Sequence, residues 1–160
     1  MDSPPGSPTD ARPELVRLLQ RYVVEAVRLG RAFAERHGMH PTDWAALLAV
    51  VHGDRVGSPL TPGELGECLG ISSGATTAVV DRLERAGHVL RVRDDRDRRR
   101  LTLHRADSAT ALLGTFCGPL DTAMDDIVVT YSVGELAVVQ RFLGDAIGQV
   151  CEHRRRLGER

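Results

Sequence analysis

The fold is decided by residues 61–105, which read TPGELGECLGISSGATTAVVDRLERAGHVLRVRDDRDRRRLTLHR. Residues 61–64 (TPGE) have the pattern of a capping box with proline at the first helical position, and Gly70 supplies a helix stop. A second helix is expected from about Ser72 to Ala86, with Gly87 closing it. Two short alternating runs, 88–93 and 99–104, flank a charged tip, which is typical of a β-hairpin. The stretch therefore predicts two helices joined by a tight turn and followed by a hairpin.

Helical patterns lie on both sides of this stretch. Apolar residues recur at i, i+3, i+4 and i+7 from Pro13 to about Arg36, and a nearly all-apolar helix is expected after His40 and Pro41 as cap and first position. On the other side a helical segment from 109 to about 129 should be kinked at Gly118-Pro119, and the SVGE capping box at 132–135 should open a last helix. The prediction is a mainly α protein with a small β-hairpin, in the order α-α-α-α-β-β-α-α.

The ends of the chain predict a domain organisation. Residues 1–12, rich in proline, are expected to form a disordered leader. The helices expected over 13–37 and 108–156 each carry an apolar stripe that the small core of residues 40–105 has no obvious room to bury. The terminal helices are therefore expected to form a dimerisation region. The alternative is that they cover their own domain as an antiparallel layer.

Composition limits the class of protein. The 160 residues are 42% hydrophobic and 27% charged, as in soluble globular proteins, and no stretch has the pattern of a membrane span or a signal peptide, which predicts a cytoplasmic protein. Three distant cysteines do not form a disulfide or zinc-ribbon pattern. The net charge is −1, yet between Arg91 and Arg105 seven arginines stand against three aspartates, a local charge of +4. Such a concentration of arginine suits phosphate or groove contacts.

The start of the fourth helix has the chemistry expected of a DNA contact. Small hydroxyl side chains and a glycine let a helix N-terminus approach phosphates and base edges closely. The candidates are Ser72, Ser73, Gly74, Thr76 and Thr77. Arg82 lies on the side expected to face outward and could reach a phosphate. The alternatives are a plain helix cap for Ser72 or Ser73, an exposed helix surface for the threonines, and a solvated partner of neighbouring charges for Arg82.

The hairpin tip mixes arginines with aspartates. Arg96, Arg98 and Arg99 are candidate DNA contacts, because a flat, weakly hydrated guanidinium suits the narrow minor groove; a partly structural role is the alternative for Arg99. Asp94 and Asp97 are expected to brace arginines by bidentate pairing. Asp81 on the fourth helix is expected to pair with an arginine of the hairpin, or alternatively with Arg85 at i+4. A solvated charge run is the alternative for the whole tip.

The segment from Met39 to Leu103 resembles the MarR family of winged helix-turn-helix regulators. The resemblance is carried by Pro41 with Trp44, by TPGELGECLGIS and SGATTAVVDRLERAGHV, and by a D-x-R-D-x-R pattern at Asp94, Arg96, Asp97 and Arg99. It implies a homodimer on a pseudo-palindromic operator in double-stranded DNA, with the fourth helices in major grooves and the hairpin, or wing, in minor grooves. It also implies repression relieved by a small, often phenolic, ligand or by cysteine oxidation. The stretch HRADSAT departs from the family by lacking a glycine, which leaves the start of the fifth helix open.

A ligand pocket between the terminal helices and the winged domain is implied by the same resemblance. Its candidate residues are aromatic rings and a histidine: Tyr22, Phe33, His37, Trp44 and Phe116. Cys151 is the best-placed of the three thiols for redox sensing, no cluster has the ligand count of a metal site, and no cofactor is indicated. Enzymatic activity is disfavoured because no catalytic motif is present. Constitutive DNA binding without a ligand, and a winged helix that binds only proteins, remain alternatives.

Overall fold

The protein is described here by a computed structural model that covers residues 8–93 and 100–158. Within these ranges the chain forms six helices and two strands in the predicted order. The bounds are α1 Pro8–Arg36, α2 Pro41–Arg55, α3 Pro62–Leu69, α4 Ser73–Arg85, β1 Val89–Arg93, β2 Leu101–Arg105, α5 Asp107–Val128 and α6 Val133–Gly158. The predicted fold class is therefore confirmed. Among the described residues no helix is long and apolar enough to cross a membrane.

The first helix begins earlier than the sequence predicts. It starts at Pro8, so residues 8–12 of the predicted disordered leader belong to α1. Proline is accepted in the first turn of a helix because the N–H that it lacks has no partner within the helix there. Residues 1–7, the rest of that predicted leader, lie outside the described residues.

The core lies in the first of two compact units, which extends to Leu112. Its central element is α2, which packs against α1, α3, α4 and β2. The largest fully buried side chains come from α1, α2, α3, α4 and both strands, and they include Phe33, Leu47, Leu65, Leu83 and Leu103. The His40 side chain caps α2 by accepting from the Thr42 N–H at 3.2 Å, as its position before Pro41 predicts.

The hairpin is antiparallel, with Val89 opposite Arg105 and Val92 opposite Thr102. Val89 and Leu103 face the core and are fully buried. The Leu103 N–H also donates to the carbonyl of Leu60, just before α3, at 2.7 Å. This bond joins the strand to the start of the helix-turn-helix, so the hairpin begins at a fixed place beside α3.

The buried stripe of α4 differs from the predicted one. The helical spacing of its small and apolar residues predicts that Ala75, Val79, Leu83 and Ala86 face inward, but both alanines are exposed. Thr76 and Val80 are buried instead, so the stripe runs through 76, 79, 80 and 83. This set has the i, i+3, i+4, i+7 spacing of one helical face, and the sequence obscured it because one of its members is a threonine.

The second unit contains the chain from Leu113 onward. α5 is one helix from Asp107 to Val128 with Pro119 inside it, so the helix is not interrupted there, and the kink expected at Gly118-Pro119 stays a prediction. The capping box before α6 is present: Ser132 N–H donates to Glu135 Oε2 at 2.8 Å and Glu135 N–H to Ser132 Oγ at 3.3 Å. None of the described residues of α6 is buried in the single chain. Its exposed apolar side chains include Val139, Phe142, Leu143, Ile147 and Val150.

Candidate nucleic-acid interface

The helix-turn-helix is held by local caps. Thr61 N–H donates to Glu64 Oε2 at 2.7 Å, and Glu64 N–H donates to Thr61 Oγ1 at 3.2 Å, which completes the predicted capping box. Hydrogen bonds from the Thr61 backbone and side chain hold the pKa of Glu64 below its usual value. Gly70 ends α3 with φ +67°, a left-handed conformation that favours glycine. The conformation at Gly70 therefore fixes the path of the chain from α3 into α4.

The two helices approach closely where Gly66 of α3 meets Thr76 of α4. A Cβ placed on Gly66 would lie 2.6 Å from Thr76 Oγ1. Thr76 is only 2% exposed, and its hydroxyl donates to the Ser72 carbonyl at 2.9 Å. The absence of a side chain at Gly66 thus sets how closely α3 and α4 pack.

Thr76 is therefore not a DNA contact, and its prediction as one is corrected. A side chain in the α3–α4 contact with its hydroxyl bonded to the backbone has no surface to offer a nucleic acid. The methyl and hydroxyl of threonine suit a half-polar helix contact, which the sequence pattern alone did not distinguish from an exposed position.

Three other predicted contacts are exposed on the first turns of α4. Ser73, Gly74 and Thr77 are all open, and a Cβ on Gly74 would meet no heavy atom of the described chain within 4 Å. Thr77 Oγ1 donates its hydrogen to the Ser73 carbonyl at 3.0 Å, so this exposed oxygen can still accept a hydrogen bond. Ser72 is the N-cap, accepting from Ala75 N–H at 3.3 Å, as the alternative interpretation expects. Ser73 and Thr77, together with residues of α3 and of the turn after it, line an open depression of about 360 Å³.

Arg82 is engaged within the protein. Its Nε donates to Asp43 Oδ2 at 2.9 Å and its Nη2 to Asp43 Oδ1 at 2.6 Å, a bidentate pair between α4 and the first turn of α2. The Asp43 side chain is 7% exposed and that of Arg82 is 43% exposed. The hydrogen bond to Asp43 raises the pKa of Arg82. Nε and Nη2 thus hold α4 on α2, and the predicted phosphate contact of Arg82, whose side chain is partly exposed, stays a prediction.

Arg91 of β1, which the sequence had not singled out, binds two carboxylates of α4. Its Nη2 donates to Asp81 Oδ1 at 2.5 Å, and its Nη1 donates to Glu84. Hydrogen bonding to Asp81 is the main cause of a raised pKa for Arg91. Asp81 thus pairs with an arginine of the hairpin, as one of its two predicted partners, and not with Arg85 in the contacts seen here. Two features of the sequence could have indicated this contact: the alternation of side chains along the strand, and the i, i+3 spacing that puts Asp81 and Glu84 on one face of α4.

The predicted tip contacts lie outside the described residues. These are Arg96, Arg98 and Arg99, with Asp94 and Asp97 as braces. β1 ends at Arg93, and the described chain resumes at Arg100. Their roles in DNA binding stay predictions.

The structure does not place all the predicted pocket residues at one site. Phe33 is fully buried and packs on Trp44 and His37, with ring centroids 4.0 and 4.5 Å away, so it is a core residue and its prediction as a pocket wall is corrected. Tyr22 and Trp44 line an open groove of about 480 Å³ between α1 and α2. Phe116 lies half-buried on α5 in the second unit, and its part in a pocket stays a prediction.

A second histidine lies near His37 in the first unit. His37 and His88 both line a shallow cleft with Asp43, Arg82 and Arg85, about 430 Å³ in volume. Burial, and then the charge of His37, lower the pKa of His88. His88 Nδ1 lies 3.2 Å from Ser108 Oγ at the start of α5.

Comparisons with known proteins agree with this geometry. Residues 37–100 match the model of the MarR family. An uncharacterized HTH-type transcriptional regulator of Bacillus subtilis (strain 168), YcgE, is 32% identical over 142 residues, 89% of this chain and 90% of the relative.

Solved structures share the fold. A MarR family protein from Bacillus stearothermophilus has a TM-score of 0.58 at 23% identity over 91% of this chain and 99% of that one. A single-substitution mutant of S. aureus MepR, solved bound to an oligodeoxyribonucleotide, has a TM-score of 0.53 at 17% identity over 84% of this chain and 97% of that one. The fold, the family match and the similarity to YcgE together show that this chain belongs to the MarR family of DNA-binding transcriptional regulators.

Proposed function

We propose that the protein is a sequence-specific repressor that acts in the cytoplasm as a homodimer on a pseudo-palindromic operator and is released by a small aromatic ligand. The DNA-binding part of the proposal rests on which half of α4 is held by ion pairs and which of its residues are exposed. Its C-terminal half is held by charged pairs on two sides, whereas Ser73, Gly74 and Thr77 at its start are exposed. A rigidly held helix with an open N-terminal turn is what reading base edges in a major groove requires.

Two ion pairs hold α4 in place relative to α2 and the hairpin. Asp43 holds α4 from α2 through Arg82, and Arg91 holds the hairpin against α4 through Asp81. Because both pairs engage the C-terminal half of α4, the start of the helix remains free to approach DNA. The Ser73 hydroxyl can donate to phosphates and can donate to or accept from base edges, whereas Thr77 Oγ1, whose hydrogen bonds the Ser73 carbonyl, can accept from a base edge.

The homodimer is proposed from unburied apolar surface. In the single chain, α1 exposes Leu18 and Tyr22, and α6 exposes Phe142 and Ile147, with no buried residue among those described in α6. Large apolar side chains at this density on a soluble protein indicate an interface. A symmetric dimer would also place two copies of α4 to bind two half-sites about 34 Å apart, one helical turn of DNA.

The ligand is proposed for the groove beside Trp44. Tyr22, Val27 and Leu48 line the groove with Trp44, so its walls are mainly apolar. A small aromatic molecule matches such walls in chemistry and size. The groove lies between α1, part of the proposed dimer surface, and α2, which holds α4 through Asp43, so a bound ligand can act on both.

Sequencing the fragments that the purified protein retains from its own genome tests the proposal. We expect an enriched inverted repeat with half-sites about 10 base pairs apart. Retention of fragments without a common sequence would refute specific recognition, and no retention would favour a protein-interaction module. Release of the fragments by small aromatic acids or phenols is expected; retention in the presence of every compound of that class would favour constitutive binding.

Thr77→Ala is the variant that assigns the contact. It should alter the preference at one operator position, since a base-edge contact contributes about 1–3 kcal/mol of discrimination. Thr122→Ala is a matched control, because the Thr122 hydroxyl also donates to the carbonyl four residues earlier at 3.0 Å on an exposed helix. Arg96→Ala and Arg98→Ala should weaken binding and reduce its salt dependence. Parent-like preference in Thr77→Ala would refute the contact at that residue.

A further inference from the structure

The shallow cleft of about 430 Å³ in the first unit is lined by four side chains that are positively charged or can become so. Arg82 and Arg85 lie on α4, His37 follows α1, and His88 precedes β1. Among the described residues that line the cleft, Asp43 of α2 is the one acid. We call the cleft formed around these five residues the basic cleft.

The acid in the basic cleft is already paired. Arg82 Nε and Nη2 donate to the two carboxylate oxygens of Asp43 at 2.9 and 2.6 Å, and the Asp43 side chain is largely buried. A buried carboxylate that loses its partner is strongly unfavourable, so Asp43 stays with Arg82. Arg85 is exposed in the last turn of α4 and forms no ion pair with any residue that the structure describes. Two arginines against one aspartate therefore leave the lining with a net positive charge even when both histidines are neutral.

The two histidines of the basic cleft add to this excess of positive charge whenever they are protonated. Both rings have contacts within the protein: the His37 ring packs on Phe33, and His88 Nδ1 lies 3.2 Å from Ser108 Oγ. Burial, and then the charge of His37, lower the pKa of His88, so the rings are close enough to repel each other. A negative group bound in the cleft would relieve this repulsion.

The rest of the lining of the basic cleft is small or apolar. It consists of Gly38, Met39, Leu83 and Ala86. Leu83 belongs to the core, and Met39 is half-buried. An inorganic anion would leave this apolar surface in contact with water, whereas a ligand with one negative group and a short apolar body matches both parts of the lining. The basic cleft therefore has the chemistry of a site for a small organic acid.

We propose that the basic cleft binds a small aliphatic carboxylic acid, whose carboxylate pairs with Arg85 beside the two histidines and whose apolar chain lies on Met39. A guanidinium suits a carboxylate because its N–H groups can donate to both oxygens. The site is separate from the groove beside Trp44, since the two have no lining residue in common. It does not depend on the proposed DNA-binding function. A bound acid would connect residues 37–39 with the last turn of α4.

Butyrate is the probe, titrated into the full chain at pH 7 and constant ionic strength. The ring signals of His37 and His88 and the methyl signal of Met39 should shift and saturate in NMR spectra, with a dissociation constant on the order of 1–10 mM for so small a ligand. Acetate, which has two fewer CH₂ groups to bury, should bind about 3- to 10-fold more weakly, and inorganic phosphate more weakly than butyrate. Shifts that do not saturate, acetate as tight as butyrate, or phosphate as tight as butyrate would each overturn the proposal.

Substitutions assign the two ends of the ligand. Arg85→Gln should weaken butyrate binding about 5- to 10-fold, the effect of a charged hydrogen bond at a partly exposed site. Arg55→Gln is the matched control, because Arg55 is also exposed in the last turn of a helix, and it should bind like the parent. Met39→Ala should bind butyrate as weakly as acetate. Parent-like binding by Arg85→Gln overturns the proposal, and a loss in Arg31→Gln in its place would put the acid in the groove beside Trp44.

The titration of His88 gives a readout that packing alone would not move. His37, Arg82, Arg85 and the paired Asp43 are the charged or titratable groups that line the cleft with it. A carboxylate bound among them favours the protonated ring, so saturating butyrate should raise the pKa of His88. The same concentration of 1-butanol, which has the apolar chain without the charge, should leave that pKa where it is. A His88 titration that butyrate does not change would overturn the proposal, whether or not the protein binds DNA.

Discussion

The contact between Gly66 and Thr76 makes a stability prediction that can be followed atom by atom. In Gly66→Ala the new Cβ would lie 2.6 Å from Thr76 Oγ1 and 3.5 Å from the Ile71 carbonyl. Thr76 cannot yield freely, because it is buried and its hydroxyl bonds the Ser72 carbonyl at 2.9 Å. The substitution must therefore push α3 and α4 apart or break that bond.

The expected change in the free energy of unfolding of Gly66→Ala is the difference between two effects. Overpacking a tight contact costs about 1–3 kcal/mol. Alanine in place of a helical glycine returns up to about 1 kcal/mol. Gly66→Ala should then lower the free energy of unfolding by up to about 3 kcal/mol. In Gly66→Ala/Thr76→Ala the added methyl enters the space that the threonine left, so the double variant should be more stable than the sum of the single changes, with a coupling of about 2 kcal/mol.

Urea unfolding followed by circular dichroism, at one protomer concentration, measures these values. Gly63→Ala on the same helix is the control, because the only described atom within 4 Å of its Cβ would be Thr61 Oγ1 at 3.9 Å, an ordinary contact. The control should be as stable as the parent or more so. A Gly66→Ala variant that also gains stability, or single effects that simply add, would refute the close contact. Operator affinity should fall with Gly66→Ala and recover in the double variant, because shortening Thr76 restores the spacing between α3 and α4.

Three further predictions concern the surface of α4 and the hairpin. Arg91→Gln should speed amide exchange in β1 and weaken operator binding several-fold, because it removes the pairing with Asp81; unchanged exchange would contradict the bracing role. Ser73→Ala should change operator preference without changing the urea midpoint, since Ser72 is the cap; a lower midpoint would make Ser73 a structural residue. Because the pKa of His88 is lowered in the fold, the unfolded chain binds more protons, and stability should fall as pH drops below the ordinary histidine value of about 6.5. Urea unfolding at pH 7.5 and 5.5 should show a smaller loss in His88→Asn; an equal loss would exclude His88 as the cause.

The features predicted best from the sequence are those set by neighbouring residues. Both capping boxes, at Thr61 and Ser132, form the hydrogen bonds that their four-residue patterns predict. The glycine stop at Gly70 has the expected left-handed backbone. These features depend on groups three or four positions apart, so the local sequence contains all the interacting atoms.

The features that were missed depend on residues far apart in the chain. Asp43 and Arg82 are 39 positions apart, and Asp54 lies 51 positions before the Arg105 amide that it accepts from. No local pattern distinguishes such an aspartate from a solvated one. Thr76 was misassigned for a related reason: threonine is compatible with a surface or with a tight helix contact, and only the glycine opposite decides which.

α2 connects the two parts of the proposed DNA-binding surface. Its third residue, Asp43, holds α4 through Arg82, and Asp54 in its last turn holds β2. About three turns of α-helix separate the two carboxylates, which is about 16 Å along the axis. The two carboxylates thus fix α4 and β2 to the same helix. In the proposed function, α4 and the hairpin would supply the side chains that contact DNA, and the mainly apolar helix α2 supplies two largely buried acids that hold α4 and β2.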